Sequence, residues 1–286
     1  MLDSSAFESN KLPMHWVNGL RKSSISLNDR GLLYGDGLFE TMRYQPGKIQ
    51  LQHYHLQRME AGCQILQMEC PLAMIRIQLD QVVQHLNSEN FESCLVKVIL
   101  TRGAGNRGYA PPSQVKPSII FIVTDISAPA GATAKLHLCK TRLAINPVLG
   151  GLKHLNRLEQ VLAANELSVS GCEEGLMLDA ADNVISGTRS NIFIVDNSTL
   201  LTPALDGCGI SGTMRRFILE QVAFDMGLNS KVEQLSIEQV LSADEFFYCN
   251  SVVGVRPIES FIGRDYDDSV LTLALKARLT TMIAIS

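Results

Sequence analysis

Hydrophobic positions change period several times along the chain, and each change marks an element. The opening segments "WVNGL" and "SISLND" are short and strand-like, and "GLFETMRYQPGKIQLQ" carries two strand-like runs around a Pro-Gly turn. From His53 the spacing becomes helical. Leu56, Met59, Cys63 and Leu66 recur on one face, and Ile77, Val82, Val83 and Leu86 follow in the same manner. "CLVKVILTRG" and "PSIIFIVTDI" are apolar runs rich in β-branched residues and predict strands. The loop between them, "GAGNRGYAPP", holds three glycines and two prolines.

Residues 127–134, "SAPAGATA", are small and turn-prone and predict a linker between a domain at 1–126 and a larger, β-rich domain at 135–286. In the second part "KLHLCKTRL" reads as a strand and the segment from Lys153 to Leu167 as a helix. "EGLMLDAADNVISGTRSNIFIVDNSTLLTP" alternates strand and turn three times. "GISGTMRRFILEQVAFDMG" is a helix entered through glycines, and "VEQLSIEQVLSADEFFYCNS" is strand, helix, strand. No repeat or low-complexity tract interrupts the pattern. The fold class it predicts is α+β in two parts.

Composition narrows the possibilities. The 286 residues are 46% hydrophobic and 19% charged, which fits a folded globular chain. A net charge of −4 argues against a general nucleic-acid binder, and apolar runs such as "SIIFIV" are strand-sized, too short for a membrane helix. The polar N-terminus "MLDSSAFESNKLP" lacks the basic start and apolar centre of a signal peptide. Seven scattered cysteines without a CxxC pair are expected to be small core residues in a reducing cytoplasm.

Four elements hold candidate chemistry. Lys153, in "GGLKHLNRLEQVLAANE", follows a glycine pair where the chain leaves a loop. A lysine becomes a nucleophile when burial or neighbouring cations deprotonate it; read alone, Lys153 is more commonly a solvated charge near a helix start. "GCGISGTMRR" opens a helix with unpaired N–H groups beside the hydroxyls of Ser211 and Thr213, a phosphate cradle or an ordinary loosened helix start. Arg58 in "HYHLQRM" is suited to phosphate by its fork of donors. His53 and His55 there lack a third ligand at metal spacing, so no metal is expected. Arg102 and Arg107 in "TRGAGNRGYAPP" stand on a loop that could receive carboxylates. No GxSxG, P-loop or dinucleotide fingerprint is present. Taken together, a lysine, a phosphate cradle and a separate arginine are the parts a pyridoxal-phosphate enzyme needs.

The motifs "DRGLLYGDGLFETMR", "HLQRM", "TRGAGNRGY", "GLKHLNRLEQVLAANE", "SNIFIV" and "GISGTMRR" occur in the order found in fold-type IV pyridoxal-phosphate enzymes, and the chain resembles that family along nearly its whole length. The family includes branched-chain and D-amino-acid aminotransferases and 4-amino-4-deoxychorismate lyases. "LKHLNRLEQVLA" and "TRGAGNRGY" look most like the lyases. The resemblance implies a two-domain fold, pyridoxal 5'-phosphate as cofactor, a homodimer, and small-molecule substrates. It implies Lys153 as the residue joined to the cofactor and as the later proton carrier. Arg58, Ile210, Ser211 and Ser251 would hold the cofactor phosphate, and Asn191 would lie beside the ring. Where relatives usually carry a glutamate for the ring nitrogen, this chain has Ser186. A hydroxyl can only hydrogen-bond there, which disfavours transamination more than an elimination with an aromatic product. Arg107, Arg102 and Tyr109 are the expected substrate contacts. The alternatives are a branched-chain or D-amino-acid aminotransferase, or a cofactor-binding protein without turnover.

Overall fold

The computed structural model describes residues 12–113, 116–126, 131–267 and 269–285. Most of the polar N-terminus and the first half of the expected linker lie outside the described residues. The chain divides into two compact units, Met1–Ser127 and Ala128–Ser286.

The first unit is an antiparallel six-stranded sheet. Its order runs Leu20–Arg21, Met14–Val17, Ser118–Thr124, Cys94–Thr101, Gly37–Gln45, Lys48–Ile49. Period-two alternation aims Cys94, Val96, Val98 and Leu100 inward with Ile119, Phe121 and Val123 of the neighbouring strand. Leu56, Met59 and Cys63 of helix Gln52–Ile65 pack on this face with Ile75, Leu79, Val82 and Leu86 of helix Leu72–Ser88. Ile77, expected inside, is exposed, because the helical period set by Ile75 and Leu79 turns it outward.

The second unit is built on a nine-stranded mixed sheet. Strand Asn191–Asp196 lies between Thr199–Pro203 and Glu245–Asn250, and Ala134–Leu138 pairs in parallel with Glu174–Leu178. Ala134 is thus already in a strand, so the expected linker ends earlier than residue 134. Val184–Gly187 closes the sheet path beside Glu174–Leu178. The helix expected from Lys153 begins at Leu158 and ends at Ser170. The residues before it follow a bridge from Gly151 to a neighbouring loop, described below. Strand Gly254–Phe261 and helix Val270–Ile285 complete the unit. No helix among the described residues is long and apolar enough to cross a membrane.

Candidate active site

Lys153 is delivered by a short zipper between two loops. The Asn146 amide donates to the Gly207 carbonyl at 2.7 Å, the Gly151 amide to Gly209 at 3.2 Å, and the Ser211 amide back to Gly151 at 2.9 Å. Gly151 and Ile210 form a parallel bridge. Gly150 makes the close approach possible, since a Cβ there would stand 2.5 Å from the Asp206 carbonyl oxygen. Two residues beyond the bridge comes half-buried Lys153, in the irregular segment before helix Leu158–Ser170. The zipper therefore brings the lysine segment beside the loop that holds Ile210 and Ser211.

That loop is fixed from below. Asn191 opens its strand, and its buried side chain donates from Nδ2 to the Ile210 carbonyl at 2.9 Å. The approach is so tight that a Cβ on Gly212 would lie 1.9 Å from Asn191 Oδ1. Gly212 then starts a helical run that continues from Thr213 to Asp225 with a π-turn at Ile218–Val222. Gly212 has no side chain with which to cap the first turn. Its amides stand at a helix start that favours an anion. In register with Asn191 on the adjacent strand is Cys249. Next to it, Asn250 Oδ1 accepts from the amides of Val252 and Val253 and shapes the turn that carries Ser251.

Ser186 is buried on strand Val184–Gly187, opposite Met177, and its hydroxyl donates to the Gly187 carbonyl at 2.9 Å. The turn that follows rests on Glu174. This fully buried carboxylate accepts from the Gly175 and Thr188 amides and from the hydroxyls of Thr188 and Ser190. Beside the Lys153 segment is a cavity of about 290 Å3 lined by Asn146, Gly150, His154, Arg157, Gln160 and Cys208. Burial, and secondarily the Arg157 charge, push His154 down to about 4, so it is neutral near pH 7.

In the first unit, Arg58 is locked to a buried acid. Its Nε donates to Glu40 Oε1 at 2.8 Å and its Nη2 to Oε2, while His55 Nδ1 meets Oε2 at 2.6 Å. Burial alone would raise Glu40; the Arg58 charge, then the His55 charge and both hydrogen bonds, outweigh it and bring Glu40 to about 2. Sequence reasoning missed Glu40, although strand periodicity sets it on one face with Leu38, Met42 and Tyr44, all buried.

The glycine-rich loop is anchored in the same unit. Arg102 donates to Asp36 at 2.8 Å and to the carbonyls of Leu66 and Gln67. Arg30, nearly fully buried, donates to Asp36 and to the carbonyls of Gly108 and Tyr109. Burial would raise Asp36, but hydrogen bonds and charge from Arg102 and Arg30 hold it below its ordinary value. Arg107 and Tyr109 remain exposed at the loop tip, with Tyr109 packed on Tyr34. Arg30 and Asp36 lie in "DRGLLYGDG", a stretch from which no site residue was taken.

The geometry finds its relatives. Residues 37–261 match the model of the amino-transferase class IV family. The chain belongs to that family. Along 278 residues, 94% of this chain and the whole of the relative, it is 34% identical to the aminodeoxychorismate lyase of Vibrio harveyi. It is 29% identical to a putative branched-chain-amino-acid aminotransferase of Methanocaldococcus jannaschii, covering 85% of each chain. Among solved structures it superposes on the 4-amino-4-deoxychorismate lyase of Pseudomonas aeruginosa with a TM-score of 0.89, at 39% identity, covering 93% of this chain and 98% of that one. Class IV enzymes use pyridoxal phosphate, and the residues of the second unit fit that group. A half-buried lysine adjoins an anion-favouring loop, and the guanidinium of Arg215, buried in the helix that loop opens, has only neutral hydrogen-bond partners.

Proposed function

We propose that the protein is a 4-amino-4-deoxychorismate lyase, which splits its substrate into 4-aminobenzoate and pyruvate. The observation that carries the reading is the Gly151–Ile210 bridge, which brings the Lys153 segment beside the Ile210–Gly212 loop in a chain so similar to lyases along its whole length.

Pyridoxal phosphate, when bound, supplies an electron sink for the bonds at the substrate carbon that carries nitrogen. Lys153 is the residue to which it is joined, and the lysine amine then moves the proton from that carbon. The Ile210 and Ser211 amides and the Ser211 and Ser251 hydroxyls are assigned to the phosphate. Asn191 holds the Ile210 loop in shape from beneath. Ser186 is assigned to the ring nitrogen as a neutral partner, which suits elimination to an aromatic product better than a full transamination cycle.

The exposed Arg107 and Tyr109 are assigned to the substrate carboxylates. Arg102, whose donors are engaged by Asp36, Leu66 and Gln67, serves to hold their loop. A homodimer is supported by exposed apolar side chains in each unit, among them Leu27 and Leu32 in the first and Leu158 and Val161 in the second. All seven cysteines are free thiols, which suits a cytoplasmic protein.

The test is to supply aminodeoxychorismate, formed in place by a synthase, to the cofactor-loaded protein and to follow 4-aminobenzoate and pyruvate. Equimolar release, reduced at least about 1000-fold in Lys153→Ala, is the expected result. Nitrogen exchange between an amino acid and a 2-oxo acid, without either product, would replace the lyase by an aminotransferase.

A further inference from the structure

Arg215 is a buried cation with no acid to balance it. Only 7% of its surface is exposed. Its Nε donates to Thr202 Oγ1 at 3.0 Å and its Nη2 to the Pro203 carbonyl at 2.9 Å, and both acceptors are neutral. Among the described residues no carboxylate stands within ion-pair distance of it; the Cys249 thiol, which burial pushes up to about 12 and so keeps neutral, and then Asp206 act on it without a hydrogen bond. A charge taken out of water without a counter-charge is costly, and the fold keeps such a charge only where something compensates it.

Its position indicates the compensating group. Arg215 lies in the first turn of the helical run that Gly212 opens, and its Cβ is 3.7 Å from where a Gly212 Cβ would stand. Helical side chains lean toward the N-terminus, and the guanidinium reaches Thr202 and Pro203 on the strand beside the one that Asn191 opens. Thr202, which receives the Arg215 bond, donates in turn to the Ile192 carbonyl, next to Asn191. The cation is therefore tied into the same strand pair that grips the loop.

We propose that Arg215 is the fixed counter-charge of the cofactor phosphate, acting through the Ile210–Gly212 loop as a positioning residue that makes the site select a doubly charged phosphate. The inference rests on the assignment of that loop to the phosphate. It adds a separate claim, that a charge which does not touch the phosphate sets much of the preference for it.

The experiment compares the affinities of the apo-protein for pyridoxal phosphate and for pyridoxal, and reads their ratio. Arg215→Met is expected to lower the ratio at least about tenfold by weakening the phosphorylated ligand, with pyridoxal affinity held. Arg215→Lys, which keeps the charge, is expected to stay within about threefold of the wild type. Should Arg215→Met not fold, Arg215→Gln keeps a donor for Thr202 and carries the same comparison. An unchanged ratio on loss of the charge overturns the proposal, and so does a lysine variant as impaired as the neutral one. Gly212→Ala, whose Cβ meets Asn191 Oδ1, separates the two claims. If it leaves the ratio untouched, the loop is not the phosphate site; if it lowers the ratio and Arg215→Met does not, the Arg215 inference alone fails.

Discussion

Asn191 donates from its side-chain amide to the carbonyl of Ile210 at 2.9 Å, so the first residue of a central strand fixes the loop that opens a helix nineteen positions later. The bond is part-buried and satisfies a backbone carbonyl that lies outside the helix. Asn191→Leu leaves that carbonyl unpaired beside an apolar side chain. We expect a loss of about 1–3 kcal/mol in denaturant unfolding together with weakened binding of pyridoxal phosphate. Weakened cofactor binding with unaltered stability would show that Asn191 acts on the cofactor directly.

The Glu40 cluster makes the first unit acid-sensitive. Because Glu40 titrates near 2 when folded and at its ordinary 4.5 when unfolded, its stabilisation is complete above about 4.5 and disappears as pH falls toward 2. Glu40→Gln leaves Arg58 and His55 without their shared acid and should cost about 3–5 kcal/mol near neutral pH. Denaturant titrations of both proteins should converge as the pH is lowered below 4.5; a constant gap would refute the account.

His154 titrates in a higher window. It is held near 4 in the folded chain against 6.5 ordinarily, so the unfolded state takes up the proton first. Its neutral burial favours folding above about 6.5 and loses that advantage progressively down to about 4. His154→Gln should flatten the stability–pH curve between those values. A curve as steep as that of the wild type would assign the slope to other groups.

Arg30 holds the loop of Arg107 and Tyr109 through the carbonyls of Gly108 and Tyr109. If those exposed residues bind substrate, Arg30→Gln should raise KM about tenfold with kcat nearly unchanged, because loosening a binding loop removes uniform binding. A lower kcat at constant KM would place the loop in the chemical step.

Ser186→Glu places a carboxylate at the position assigned to the ring nitrogen. We expect the absorption of the bound cofactor to shift and transamination to rise relative to elimination, as a charged partner keeps the ring nitrogen protonated. An unchanged spectrum with an unchanged product ratio would remove Ser186 from the account of reaction choice.

Local periodicity was enough to read most elements. The apolar, β-branched runs "CLVKVILTRG" and "PSIIFIVTDI" became paired strands, and the 3.6-residue spacing of Leu56, Met59 and Cys63 became a packed helix face. Lys153 was legible as a residue leaving a loop, but the start of its helix was misjudged by five positions. No local signal records that Ser211 would donate its amide to Gly151 and tie the chain before Lys153 to a distant loop.

The sequence by itself determined most strands and helices as far as Asn250, the family, and the residue types on which the chemistry rests, because these depend on spacing along the chain. Tertiary structure alone decided which charges meet. Glu40 faces Arg58 and His55 across a strand–helix contact, Asp36 joins Arg30 to Arg102, and Arg215 is buried among neutral partners. Such relations arise when residues far apart in sequence are taken out of water together. Their strength comes from that shared burial, which no stretch of sequence contains.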